Sequence, residues 1–138
     1  VDLPALERRL VEHVNATRVE DGARALRAHE AMARAAREHA QELAARHELD
    51  HMSTRPGRTT FAQRLALAGA PGWTLAGENL IMLPYNTLEV PERAVAGWLG
   101  SASHREQMLE TTYTDTGIGI ARDENGNWYI VQLFLRRP

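Results

Sequence analysis

Two sets of histidine and glutamate residues in this sequence have types and spacings that could hold a metal ion or transfer a proton. His47, Glu48 and His51 match the HExxH pattern, in which two histidines four residues apart on one helix share a zinc ion and the glutamate acts as a base. The extended pattern has a glycine at position 54 and a histidine at position 57, where this chain has Thr54 and Gly57. Turn-forming residues follow instead of a continuing helix. We therefore interpret the match as coincidental and do not predict a zinc protease from it.

The second set consists of His51, Glu78 and His104, which are far apart in the sequence. Two imidazoles and one carboxylate are a ligand set that suits zinc and leaves a fourth position open. The same groups could carry out acid–base chemistry or form a structural hydrogen-bond network, and no spacing rule links the three positions. Ser101 is the hydroxyl beside His104 with a conceivable role as a nucleophile, but a serine–histidine pair needs a third, orienting group.

The elements that must position these residues follow from the apolar periodicity. His104 stands at the start of a short helix predicted over 103–109, with Ser101 and Ser103 as candidate N-caps because a hydroxyl oxygen accepts from free backbone N–H groups. Further helices are predicted over 3–20, 30–47 and 61–68, and another is predicted with Thr87 or Glu89 as its N-cap. Strands are predicted over 77–83, 116–122 and 128–135. The last two are joined by the Asn-Gly pair at 125–126, a strong hairpin signal.

The strand over 128–135 carries apolar residues on both faces, so we expect helices to cover it on both sides. The fold class is therefore α+β, a three-layer α-β-α sandwich with a small antiparallel sheet between helices. We expect residues 23–28 to form a connector. We expect His13, His29 and His39 to lie exposed on helices, and we assign them no role.

Composition restricts the function further. The 138 residues, 43% hydrophobic and 25% charged, predict one globular domain over residues 1–138. A formal net charge of −2 with scattered basic residues gives no reason to expect nucleic acid or an anionic membrane as partner. Cysteine is absent, which excludes disulfides and thiolate chemistry. No apolar run is long enough for a transmembrane segment. Since Val1 is not an initiator methionine, we expect any export signal or anchor to have been removed from this chain.

The ordered set of motifs resembles the CAP superfamily, also called SCP-like, which includes cysteine-rich secretory proteins, antigen 5 and plant pathogenesis-related proteins. The resemblance covers about residues 10–134. Its motifs are His51 with the loop at 57–59, then GENL at 77–80, WLGSASHR at 98–105, YTDTGIG at 113–119 and WYIVQLF at 128–134. The absence of cysteine and the short tryptophan-to-histidine spacing are similar to the bacterial members.

The resemblance implies an α-β-α sandwich, an extracytoplasmic location and a central cleft with two histidines and two acids. By motif, His51 matches the first histidine, Glu78 the first acid and His104 the second histidine. Ser101 stands at the position of the second acid, so the four-residue set is incomplete. The cleft residues are then His51, Glu78, Ser101 and His104, of which His51, Glu78 and His104 are the candidate metal ligands for zinc or another divalent cation.

Three functions are compatible with this resemblance. The first is an extracellular or cell-envelope domain whose cleft binds a divalent metal or a small ligand, without established catalysis. The second is a hydrolase, most plausibly a peptidase, that uses the histidines and Glu78. The third is a lipid-binding or cell-surface interaction module. In each case we expect a monomer with a small-molecule, metal or lipid ligand and no nucleic-acid partner.

Overall fold

Helices cover both faces of one small sheet. The computed structural model describes residues 1–70 and 72–138, and within them the chain forms five helices and four strands. In chain order these are α1 (Leu3–Glu20), β1 (Arg27–Ala28), α2 (Glu30–Arg46), α3 (Phe61–Leu67), β2 (Leu75–Leu83), α4 (Val90–Leu99), α5 (Ala102–Leu109), β3 (Asp115–Arg122) and β4 (Trp128–Arg136). The predicted helices and the three long strands are all found, with ends that differ by one or two residues.

The sheet order is β1-β3-β4-β2, which makes β2 an edge strand. β4 pairs antiparallel with β3 through the predicted hairpin, and it also pairs antiparallel with β2, which gives the small antiparallel sheet that was expected. β1 pairs parallel with β3, with Arg27 opposite Asp115, so the prediction that residues 23–28 form only a connector is wrong. A strand of two exposed residues has no alternating pattern to detect, and its partner strand β3 lies about 90 residues away in the sequence.

The two faces of β4 belong to two separate cores. Ile130 and Phe134 pack with residues of α1, α4 and α5, whereas Val131 and Leu133 pack with residues of α2 and α3. Because side chains alternate along a strand, one apolar strand can serve both layers. This arrangement confirms the three-layer α-β-α sandwich.

Helix α2 lies unusually close to β3. A Cβ atom added at Gly119 would lie 2.0 Å from the backbone nitrogen of Arg37, and one added at Gly117 would lie 2.4 Å from that of Ala33. The α2 face toward the sheet is built largely of small residues, including the fully buried Ala36 and Ala40. The two glycines are therefore required by the close approach of the α2 backbone.

The prediction that His13, His29 and His39 are exposed is wrong. His39 is only 2% exposed, and the other two are half-buried. The Nε2 atom of His39 lies 2.7 Å from the carbonyl oxygen of Asp50; since a carbonyl only accepts, Nε2 carries the proton and donates. His39 is covered because the segment that follows α2 folds back over this helix, and that segment carries His51.

Candidate functional site

The HExxH match is not a helical pair in the structure. Helix α2 ends at Arg46, and His47 is its C-cap in the left-handed conformation with φ of 58°. His47 contacts the carboxylates of Asp123 and Glu124, whereas His51 contacts Glu78. The two histidines therefore do not share a helix face, as expected from the turn residues in the sequence.

The centre of the site is the contact between His51 and Glu78. Nδ1 of His51 lies 2.8 Å from Oε1 of Glu78. Glu78 stands on the edge strand β2, and its side chain is 0% exposed, whereas the His51 side chain is 53% exposed. Since a carboxylate accepts, Nδ1 of His51 donates, and Nε2 is the ring nitrogen left for a ligand. The structure thus presents one oriented imidazole to solvent.

Arg64 of α3 completes this pair, and it was not among the site residues predicted from the sequence. Nη1 of Arg64 donates to Oε2 of Glu78 at 2.8 Å, and Nη2 donates to the backbone oxygen of His51 at 2.5 Å. Both oxygens of the buried carboxylate are therefore occupied. No spacing rule in the sequence singles out Arg64, because the contact depends on how α3 packs on β2.

The electrostatics favour the protonated form of His51. The hydrogen bond to Glu78 is the largest influence and raises the pKa of His51 above its usual value of 6.5. Partial burial and the positive charge of Arg64 act in the opposite direction but do not cancel the increase. A metal ion that binds Nε2 of His51 must displace the proton that this nitrogen carries in the imidazolium form. The affinity of the site for metal therefore falls as the pH is lowered.

The segment that carries His51 is fastened to α2 by Glu42. The carboxylate of Glu42 accepts from the Ser53 hydroxyl at 2.5 Å, from the Thr54 backbone nitrogen at 3.0 Å and from Nη1 of Arg46 at 2.9 Å. Burial, the largest single influence, raises the pKa of Glu42, but these hydrogen bonds together lower it to about 2. The segment is also held at Asp50, whose carbonyl accepts from His39.

His104 and Ser101 lie on the other face of β2. His104 is in the first turn of α5, and its backbone oxygen accepts from Nδ2 of Asn79 at 2.9 Å. Asn79 follows Glu78 on β2, so their side chains point to opposite faces of the sheet. Ser101 occupies the N-cap position of α5, as expected, but forms no side-chain capping hydrogen bond. His51 and α5 therefore flank the same point of the edge strand from opposite layers.

Of the four predicted site residues, the structure brings His51 and Glu78 into direct contact and places His104 and Ser101 across the edge strand. Within residues 1–70 and 72–138, no group of three or more His, Cys, Asp or Glu side chains is arranged so that it could hold a metal ion. The metal role of His51, Glu78 and His104 therefore stays a prediction.

Comparison with known proteins decides the family. Residues 11–134, nearly the whole chain, match the cysteine-rich secretory protein family, abbreviated CAP. The chain belongs to this family. It is 30% identical over 131 residues to the uncharacterized membrane protein YlbC of Bacillus subtilis, a match that covers 95% of this chain but 34% of YlbC. This CAP domain thus spans about a third of the length of that relative.

Solved structures agree with the CAP assignment. An outer surface protein of Borrelia burgdorferi superposes with a TM-score of 0.84 at 22% identity, with 100% of this chain and 97% of that chain covered. An extracellular protein with an SCP domain from Bacillus anthracis gives a TM-score of 0.79 at 25% identity, covering 95% of this chain and 40% of that chain. The CAP relatives thus include extracellular proteins. In the described part of the chain, no helix has the length and apolar character needed to cross a bilayer.

Proposed function

We propose that this CAP domain works outside the cytoplasm and binds a divalent cation, or a small polar ligand group, through His51 at the edge of β2. The observation that carries the proposal is the contact of 2.8 Å between Nδ1 of His51 and Oε1 of Glu78. Histidines that ligate metals almost always donate their other ring nitrogen to a carboxylate or carbonyl, which fixes the tautomer and the ring orientation. Zinc is the first candidate, because imidazole nitrogen suits it.

Glu78 acts in this proposal mainly by holding His51. Its two oxygens already accept from His51 and Arg64, so direct ligation by Glu78 requires that it release one of them. The ligands proposed are then Nε2 of His51 and the ring of His104, which would have to meet around the free edge of β2 because they lie in opposite layers. Water or a ligand group would fill the remaining positions. Ser101 would contact the bound group from the start of α5.

A hydrolase is the second candidate, because the same contact leaves His51 oriented as a general base. A histidine whose Nδ1–H is held by a carboxylate is the arrangement that activates hydroxyl or water nucleophiles in many enzymes. Ser101 is the hydroxyl proposed from the sequence, yet in the described part of the structure its side chain forms no hydrogen bond with either histidine. Water is therefore the better candidate nucleophile.

A lipid-binding role has one observation in its favour. A cavity of about 650 Å³ lies between α1, the start of α2 and β3, and its walls include Leu3, Pro4, Val11 and Ile118. These side chains offer an apolar surface for an acyl chain. Native mass spectrometry of the purified protein tests this role, since a bound lipid would appear as a defined mass increment.

Isothermal titration calorimetry with zinc at pH 7.5 tests the main proposal. We expect saturable binding by the natural sequence, and binding at least about tenfold weaker for His51→Ala and for His104→Ala. His13→Ala, on α1 and outside the site, is the matched control and should bind as the natural sequence does. Identical heats for the natural sequence and the His51→Ala/His104→Ala variant would contradict metal binding at this site. Turnover in a peptide library that is abolished by His51→Ala would instead support the hydrolase.

A further inference from the structure

The free edge of β2 carries a row of backbone hydrogen-bonding groups next to His51. β2 is the last strand of the sheet, so every second residue turns its N–H and C=O groups away from β4. Ile120 shows which residues these are, because its N–H donates to Glu7 and therefore faces away from β4. Ile130 lies opposite Ile120 and must turn its backbone groups toward its other partner, Ile81 of β2. The outward-facing residues of β2 are then Ala76, Glu78, Leu80 and Met82.

Helix α4 closes this row at one point. Nε1 of Trp98 donates to the carbonyl oxygen of Leu80 at 3.1 Å, which agrees with an outward orientation of Leu80 and occupies its acceptor. Among the residues that the structure describes, the outward groups of Ala76, Glu78 and Met82 form no hydrogen bond. The part of the edge that is unpaired on the near side of Trp98 is therefore the segment 76–78.

Solvent reaches the backbone of this segment. Ala76 is half-buried. Glu78 is 4% exposed as a residue, whereas its side chain is 0% exposed, so the accessible part of Glu78 belongs to its backbone. The half-exposed ring of His51 contacts the same residue. A ligand that pairs with segment 76–78 therefore lies next to the imidazole.

We infer that the polar group bound at His51 belongs to an extended polypeptide, which adds to β2 as a short strand over segment 76–78. The N–H and C=O groups of Ala76 and Glu78 recur at about 6.8 Å along the strand, and an extended polypeptide has complementary acceptors and donors at the same spacing. The inference rests on the proposed ligand-binding role of His51 for the place of the peptide. The pairing itself depends on the backbone of β2.

A second copy of this chain fits the same edge less well. β2 has nine residues, but Trp98 occupies Leu80 near its middle. Two β2 strands would therefore pair over only a few residues at one end. Such a pairing by itself buries much less than the roughly 1,200 Å² of a stable interface, whereas a short peptide needs no more than this segment.

NMR of the backbone amides in the metal-free protein tests the pairing. The probes are synthetic pentapeptides with blocked ends, in which valine or threonine alternates with varied residues, each titrated to millimolar concentration. We expect the Ala76 and Glu78 amide resonances to shift with saturation and their hydrogen exchange to slow, because each N–H gains an acceptor. The amides of Gly77 and Asn79, which face β4, are internal references and should exchange as before. Absence of saturable shifts at Ala76 and Glu78 with every peptide would overturn the inference. Shifts that depend on protein concentration without peptide would also overturn it, since they mean pairing with a second copy.

Methylation of the peptide backbone separates strand pairing from binding by side chains. Alternate N–H groups of an added strand face β2. Methylation of these nitrogens should weaken binding at least about tenfold, whereas methylation of the intervening nitrogens, the matched control, should have little effect. Equal losses at all positions would contradict the pairing.

Proline substitutions make the matching change in the protein. Ala76→Pro removes an outward donor and leaves the ladder with β4 intact, because proline is tolerated on an edge strand where its nitrogen faces solvent. We expect binding at least about tenfold weaker. Met82→Pro makes the same change beyond Trp98 and should bind as the natural sequence does, and thermal unfolding checks that both variants fold. Equal affinities for all three proteins would overturn the inference.

His51→Ala shows whether the peptide and the proposed site coincide. We expect weaker peptide binding in this variant, and unchanged binding would contradict the claim that the group at His51 belongs to the peptide. The zinc titration is read separately. If zinc binds and no peptide pairs with β2, only this inference fails. If peptides pair and zinc does not bind, only the metal part of the proposed function fails.

Discussion

His51 and Glu78, 27 residues apart in the chain, meet through a hydrogen bond of 2.8 Å that joins a half-exposed imidazole to a completely buried carboxylate. The burial of Glu78 is tolerated because Arg64, itself buried, pairs with its second oxygen. A buried charge without such a partner would be strongly destabilising. The contact therefore combines a rigid, charged interior with one ring nitrogen that solvent can reach.

Glu78→Gln should lower the pKa of His51. The hydrogen bond with Glu78 is the largest influence that raises this pKa, and a neutral amide cannot stabilise the imidazolium to the same degree. An NMR titration of the His51 ring in the metal-free protein measures the change. Glu48→Gln removes an exposed carboxylate that pairs with Arg46, and it should leave the His51 titration unchanged. An unaltered pKa in Glu78→Gln would show that the contact does not control the ring.

The same contact should make stability depend on pH in a defined window. The pKa of His51 is raised in the folded protein. The contribution of His51 to the free energy of unfolding is therefore fully present below the unfolded pKa of about 6.5, and it is lost as pH rises through the folded pKa. The contribution should be below about 1 kcal/mol, since the ring is half-exposed. Urea unfolding of metal-free natural protein and of His51→Ala at pH 5.5 and pH 9 measures it. The free-energy difference between the two proteins should be larger at pH 5.5, and the reverse order would contradict this explanation.

Glu42 should make the His51 segment sensitive to acid. The pKa of Glu42 is lowered from 4.5 to about 2. The contribution of Glu42 to the free energy of unfolding is therefore present above about pH 4.5, and it is lost as pH falls through about 2. The shift corresponds to at most about 3 kcal/mol. Hydrogen exchange at the Thr54 amide, which donates to Glu42, is the measurement, and Glu42→Gln should speed it at neutral pH. Glu38→Gln, an exposed acid on the same helix, serves as the control, and equal exchange in both variants would exclude Glu42 as the anchor.

Local patterns in the sequence were sufficient to predict most of the helices and strands of the fold. The periodicity of 3.6 or 2 residues is contained in each long element, so α1 and β4 could be predicted from their own residues. The pairing of β1 with β3 could not, because it depends on the opposite end of the chain. His39 was misplaced for a similar reason, since its burial depends on a segment that has no periodicity.

The site was predictable only in its residue types. Residue types suggested His51, Glu78 and His104 as candidates and the resemblance supported the choice, but the hydrogen-bond partner of each nitrogen and oxygen depends on the tertiary structure. Arg64 illustrates the limit. It is buried in a helix that begins with a capping box between Thr60 and Gln63, and that local signal locates the helix without indicating that its arginine reaches Glu78.

The close approach of α2 to β3 connects the fold to the site, and Gly119→Ala tests that connection. An added Cβ would lie 2.0 Å from the backbone nitrogen and 2.3 Å from the Cα of Arg37. The backbone of Arg37 cannot rotate away from the added atom as a side chain can, so α2 must move. We expect this movement to lower the free energy of unfolding by about 1–3 kcal/mol or more. Thermal unfolding should show a melting temperature lower by about 4 °C or more.

Gly100→Ala is the matched control for this change, because its added Cβ would meet the nearest atom at 3.4 Å. Its melting temperature should stay within about 2 °C of that of the natural sequence. Since α2 carries His39 and Glu42, which hold the segment bearing His51, Gly119→Ala should also weaken zinc binding while Gly100→Ala should not. If Gly119→Ala melts as the natural sequence does, the helix can shift freely. The glycine would then not be what positions the site.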